Sequence, residues 1–138
     1  MKKLNWLFLL CLSFAFVACD DDDEDVDLDI TAPTITISSP TENAVYAPGD
    51  EVVFRANVTD DQGLENIKVF VTNPTGNTSE IEDDDISDFL NDNRQKSLDL
   101  NISLPADAPE GAYIMTIEAT DEQGNTAEES VTISVALP

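Results

Sequence analysis

Histidine is absent from the 138 residues, and cysteine occurs only twice, at Cys11 and Cys19. Without imidazole there is no Ser-His-Asp arrangement, no Cys-His pair and no histidine-built metal site. With both cysteines near the N-terminus, the rest of the chain holds no internal disulfide and no Cys-rich zinc site. Positive charge is scarce as well: 6 Lys and Arg face 29 Asp and Glu, for a net charge of −23. Such a polyanion repels nucleic acid and anionic headgroups, so no nucleic-acid partner is expected. It suits a well-hydrated surface, or one that collects cations. Apolar residues make up 41% of the chain, which is normal for a folded domain and too high for a wholly disordered one. The length is that of one domain.

What is present begins with MKKLNWLFLLCLSFAFVAC. Lys2 and Lys3 form a positive start, Leu4 to Val17 a short apolar run, and Ala18 a small residue at its end. This order predicts a secretory signal peptide over residues 1–18. The run is short for a membrane-spanning helix, which needs about 20 residues; the alternative is an N-terminal anchor that stays uncut. FVAC resembles the lipobox of bacterial lipoproteins, in which the signal is cut just before a lipid-modified cysteine. The resemblance implies Cys19 as the lipidated residue, with a diacylglycerol on its thiol and an acyl chain on its new amino group. Phe16 departs from that pattern, which favours an aliphatic residue three before the cysteine. At about 0.8 kcal/mol per buried methylene, two or more chains make a near-permanent anchor. Cleavage also removes Cys11 and Trp6, and the loss of Lys2 and Lys3 takes the charge from −23 to −25.

Asp20, Asp21, Asp22, Asp23, Glu24 and Asp25 follow the cysteine directly. Their mutual repulsion and lack of an apolar face predict an extended, hydrated tether over residues 19–32. Residues 20–32 reach about 40 Å when stretched, at roughly 3.3 Å each. The run also resembles the acidic export signal of surface lipoproteins of the Bacteroidota. That likeness implies a lipid-anchored protein of the bacterial outer membrane facing the cell exterior; the alternative is the periplasmic face. Contact with the membrane is expected through the lipid anchor only.

From Pro33 the hydrophobic period becomes two. The alternation predicts strands over Thr34–Ser38, Glu51–Thr59, Leu64–Thr72, Ser97–Leu104, Gly111–Thr120 and Ser130–Val135, each with one buried face. Expected inward residues include Val52, Phe54, Ala56, Val58, Ile67, Val69, Val71, Leu98, Leu100, Ile102, Leu104, Tyr113, Met115, Ile117, Ala119, Val131, Ile133 and Val135. Gly, Pro, Asp and Asn punctuate the intervals at SSPTENAVYAPGD, TDDQG, NPTGN, PADAPEG and DEQGN. The fold class is therefore all-β: a single immunoglobulin-like antiparallel β-sandwich of about seven strands over residues 33–138. LPADAPEGAYIMTIEATDEQGN resembles the stretch of fibronectin type III, cadherin-like and bacterial Ig-like domains in which a glycine turn precedes Tyr, a strand and Asp-x-x-Gly-Asn. By that resemblance Gly111 serves the turn and Tyr113 ties it down through its hydroxyl; plain core packing is the alternative for Tyr113. Residues 33–136 as a whole are similar to an uncharacterised family of Bacteroidota Ig-like lipoproteins known as a domain of unknown function. Histidines in the loops of that family have no counterpart here, so a site built on them does not carry over. An acidic insertion, residues 73–95, places Ile86, Phe89 and Leu90 at helical spacing. It reads as a short helical or irregular cover for a sheet edge, or as a contact for a partner.

Two loops echo each other, TDDQG at residues 59–63 and TDEQG at residues 120–124. In an Ig-like sandwich the B–C and F–G loops share a pole, and the tether enters there too. Asp60, Asp61, Asp121, Glu122 and Asn125 then form a candidate calcium site, joined by Asp27 or Asp29 from the tether. Calcium takes six to eight oxygen ligands, and oxygen is what this chain offers. The competing reading is turn geometry alone, for which Asp and Gly are also chosen. Asn91, Asp92 and Asn93 form a further polar triplet, inside the insertion.

Two classes of function fit. The first is a non-catalytic, lipid-anchored module for adhesion, scaffolding or ligand binding, with a protein or glycan partner at the cell surface. The second is a calcium-binding version of it. An enzyme requires a pair of carboxylates in a cleft, and no catalytic residue stands out among the many acids. No cofactor other than calcium is suggested.

Overall fold

The computed structural model describes residues 28–87 and 93–138. The signal peptide, Cys19, the acids Asp20 to Asp25, and Asp27 lie outside the described residues, as do Phe89, Leu90, Asn91 and Asp92. Among the described residues no helix is long and apolar enough to cross a membrane.

Among the described residues seven strands and one helical turn follow in chain order. They are β1 (Thr34–Ser39), β2 (Val45–Tyr46), β3 (Glu51–Thr72), β4 (Thr78–Glu80), α1 (Asp84–Ser87), β5 (Asn93–Ser103), β6 (Gly111–Asp121) and β7 (Thr126–Val135). The first half of β3 pairs antiparallel with β1 on one side and β5 on the other, with Ala56 opposite Ile37 and Leu98. Its second half pairs with β6 and β4, so Val69 faces Ile117 and Phe70 faces Glu80. β7 continues from β6, and β2 lies parallel to its end. β3 thus belongs to both layers. Leu64, at its corner, is opposite Asn93 of β5 and Asp121 of β6, and is fully buried.

Alternation decides what lies between the layers, because successive side chains of a strand point to opposite faces. Val52, Phe54, Ala56 and Val58 meet Ile67, Val69, Leu98, Leu100, Met115, Ile117 and Ile133 in one continuous core. Burying a side chain such as Phe54 is worth about 1.5–3 kcal/mol. The all-β sandwich and the inward faces agree with the alternation, except that Val71 is only partly buried.

Several boundaries differ from those expected. TDDQG does not separate two strands; β3 runs through it, with a register shift against β5 between Thr59 and Leu64. Within that stretch the Asp60 carboxylate accepts from the backbone N–H groups of Gln62 and Gly63, a turn-like contact inside the strand. β2 and β4 were not expected: the first has two residues and the second is wholly exposed, so neither shows a period. β5 starts at Asn93 and β7 at Thr126, both ahead of their apolar alternation. Within the insertion, α1 is one turn, and its Ile86 is buried against the core.

Gly111 and Tyr113 open β6. Gly111 has φ 137°, and a Cβ on it would lie 2.9 Å from the Pro74 ring, so glycine fits both the backbone and the packing. The Tyr113 ring is buried, and its hydroxyl donates to the Pro109 carbonyl at 3.1 Å, holding the turn ahead of the strand. Burial first, and the charge of Asp107 second, push the Tyr113 hydroxyl above its ordinary value of 10.0. A pKa raised by folding gives stability that is complete below the unfolded value and lost as pH rises through the folded one. Tyr113→Phe should cost about 1 kcal/mol at neutral pH for the lost hydrogen bond. It should also flatten the loss of stability above about pH 10; urea unfolding at neutral and alkaline pH checks both.

Candidate cation site at the tether pole

Both Asp60 and Asp121 occupy inward positions of their strands. Asp60 continues the series Val52, Phe54, Ala56, Val58, and Asp121 continues Tyr113, Met115, Ile117, Ala119. Each strand carries its buried face beyond the apolar core and ends it on a carboxylate. Asp60 is 8% exposed and Asp121 0%. Asp29 shares the parity of Pro33, Ile35 and Ile37 and approaches the same pole from the chain ahead of β1. One carboxylate oxygen from each of Asp29, Asp60 and Asp121 lies within 4.8 Å of the others.

The three acids are bonded unequally. Asp121 is fully engaged: Oδ1 accepts from the backbone N–H of Gln123 (2.9 Å) and Asn125 (2.8 Å), and Oδ2 from the Asn125 side chain (2.7 Å). Burial pushes its carboxyl up. The side-chain amide and N–H of Asn125, with the N–H groups of Gln123 and Gly124, outweigh that and hold it below the ordinary aspartate value. Asp60 is half engaged: Oδ2 accepts from Gln62 (2.9 Å) and Gly63 (2.7 Å), while Oδ1 is buried without a hydrogen-bond partner. Asp29 uses Oδ1 for the N–H of Thr31 (2.9 Å), and its Oδ2 is likewise buried and unpartnered. Asn125 links the tether to this group, because its Nδ2 also donates to the Asp29 carbonyl at 2.9 Å.

Asp61 and Glu122 stand outside the cluster. With the backbone extended, the residue after an inward aspartate faces outward, and both are exposed. Asp61 lines a shallow cleft of about 370 Å³ with Thr31, Ala32, Thr34, Thr59 and Asp60. Glu122 is tied to the facing bend: its N–H donates to the Gly63 carbonyl at 3.0 Å. The site is therefore narrower than the five residues expected from sequence. Of these the structure brings Asp60 and Asp121 together, with Asn125 as the donor beside them, and of the two acids expected from the segment ahead of β1 it places Asp29 with them. Strand phase was the signal that could have selected this set.

Residues 17–136 match the family described as a domain of unknown function, DUF4625. The chain belongs to that family. No curated protein matches it. Among solved structures, it is similar to the sporulation control protein Spo0M from Bacillus subtilis (TM-score 0.54, 15% identity, 79% of this chain and 51% of that one). It is similar also to a family 123 glycoside hydrolase from Clostridium perfringens (TM-score 0.52, 15% identity, 78% of this chain and 28% of that one). Fibronectin(III)-like modules of CbhA from Clostridium thermocellum are a further likeness (TM-score 0.47, 19% identity, 74% and 94% covered). The chain spans about half of Spo0M and about a quarter of the hydrolase. At 15% identity the likenesses to Spo0M and the hydrolase speak to the fold alone.

In the DUF4625 domain, no ion pair among the described residues includes Asp29, Asp60 or Asp121: Arg55 pairs with Asp99 (3.0 Å) and Lys96 with Asp85 (3.4 Å). Two carboxylates this close repel by roughly 3–4 kcal/mol at an effective dielectric of about 20. Among the described residues the Asn125 bond to the Asp29 carbonyl ties this segment to the bend between β6 and β7, and is worth about 1 kcal/mol net. Fixing each backbone residue costs about 1–2 kcal/mol, and Leu28 and Ile30 are 75% and 86% exposed, so they add little. A cation between the acids would reverse the largest of these terms.

Gly63 permits the close contact between the two bends. Its φ is 145°, and an added Cβ would lie 3.1 Å from the Glu122 carboxyl carbon. Gly63→Ala should destabilise the domain by about 1–3 kcal/mol, read as a lower urea midpoint with unchanged slope.

Proposed function

We propose that this chain is a lipid-anchored, non-catalytic Ig-like module of the cell envelope that holds a calcium ion where its tether enters. The observation that carries the calcium reading is the pair of buried, unpartnered oxygens, Asp29 Oδ2 and Asp60 Oδ1, beside the Asp121 carboxylate. A buried polar atom left unbonded is costly, and a buried charge more so. The donors are all oxygen, which suits a hard cation. Three carboxylates from separate segments suit the variable coordination of calcium better than the strict octahedron of magnesium. The expected dissociation constant is about 10⁻⁴–10⁻³ M, as in other extracellular modules.

The non-catalytic reading is supported by the fate of the same acids. Asp121 is closed off from solvent with both oxygens bonded, so it cannot serve as half of an acid–base pair on a substrate. The anchoring reading rests on FVAC and the acids after Cys19, and it puts the module on the outer membrane facing outward, ready for a protein or glycan partner.

Calorimetric titration of the purified protein should show calcium binding, and about 1.4 kcal/mol of stabilisation at about ten times the dissociation constant. Asp60→Asn should keep the fold, since its amide oxygen can accept from Gln62 and Gly63, and should weaken calcium at least about tenfold. No heat and no rise in Tm at millimolar calcium would remove the site. For the anchor, Cys19→Ala should move the protein from the membrane fraction to the soluble one. Protease added to intact cells should digest the lipidated form; digestion only after lysis would place it on the periplasmic face.

A further inference from the structure

We infer that the cation is a clasp: it bridges the tether to the sandwich, so that calcium sets whether residues 28–33 are docked or free. This rests on the calcium reading above and deepens it, because Asp29 is the one acid of the three that lies outside the strands. The three acids come from the segment ahead of β1, from the corner of β3 and from the end of β6. Asp60 and Asp121 are fixed by their strands and by bonds to their own bends. Asp29 has no strand pairing; its segment reaches the pole through the Asn125 Nδ2 bond to its carbonyl and exposes Leu28 and Ile30 to solvent. Without a cation, like charge opposes this docking. With one, the Asp29 and Asp60 oxygens that lack partners gain a shared one. Asn125 acts as a positioning residue, bonding the Asp121 carboxylate and the tether backbone with the same amide nitrogen. Release of residues 28–33 would lengthen the tether by up to about 20 Å, at roughly 3.3 Å per residue.

Amide hydrogen exchange of the full chain in detergent, with calcium and with chelator, tests the clasp. Calcium should slow exchange in peptides spanning residues 28–33 at least about tenfold, with the Thr31 N–H, bonded to Asp29 Oδ1, among the protected amides. Asp29→Asn should abolish the calcium-dependent part of that protection and weaken calcium at least about tenfold, with no fall in the calcium-free Tm, since it removes a like charge from the cluster. Asn125→Ala should speed exchange of the same peptides in chelator and leave part of the calcium protection. If calcium binds, yet exchange of residues 28–33 is unchanged and Asp29→Asn keeps full affinity, the clasp is wrong and a site on Asp60 and Asp121 survives. If the unaltered chain binds no calcium, site and clasp both fall.

Discussion

A β-strand has two faces, and a strand packed between layers must send every second residue to the same one. In this chain that alternation runs further than the apolar core. Val58 is followed on the inward face by Asp60, and Ala119 by Asp121. The strands cannot turn these acids outward without turning the valines and isoleucines out with them, because a slip of one residue exchanges the faces. Core packing therefore holds two carboxylates side by side at one pole. Everything at that pole answers to them: the bend through TDDQG that supplies N–H groups to Asp60, the DEQGN turn that does the same for Asp121, and the tether that brings a third acid.

The two bends solve the same problem to different degrees. Around Asp121 two backbone N–H groups and a side-chain amide complete the shell, and the carboxyl is held below its ordinary value despite burial. Around Asp60 the backbone stays extended and supplies two N–H groups to one oxygen, leaving the other bare. The difference follows from topology. β6 ends at Asp121 and hands over to β7, so its turn can wrap the carboxylate; β3 must carry on to the opposite layer, with Leu64 already in the core.

The sandwich was legible because its apolar residues alternate over long stretches, as from Val52 to Val58 and from Tyr113 to Ala119. The short or polar pieces were not: Val45–Tyr46 is two residues long, Thr78–Glu80 is exposed throughout, and Asn93–Ser97 pairs through its backbone and polar side chains, as in the Gln95 bond to Asn57. TDDQG looked like a loop because aspartate and glycine favour turns, whereas here the aspartate makes turn-like bonds inside a strand. The pole itself was legible from the repeated motif. Its membership required the strand phase to be carried two residues past the last apolar position, which separates Asp60 from Asp61 and Asp121 from Glu122. Asp29 could be anticipated only as one of two tether acids, since the order ahead of β1 comes from tertiary contact.

β1 has a strand partner on one side only, and its first pair is Thr34 with Thr59. Tension on the N-terminal segment, once past the Asn125 bond to Asp29, arrives at that strand pair before any other. A pull along the axis of β1 loads all its bonds with β3 together, in shear. A pull across the axis opens them singly, from Thr34 inward, as a zipper opens. The direction of the chain between Asp29 and Thr34 selects between the two ways of loading β1.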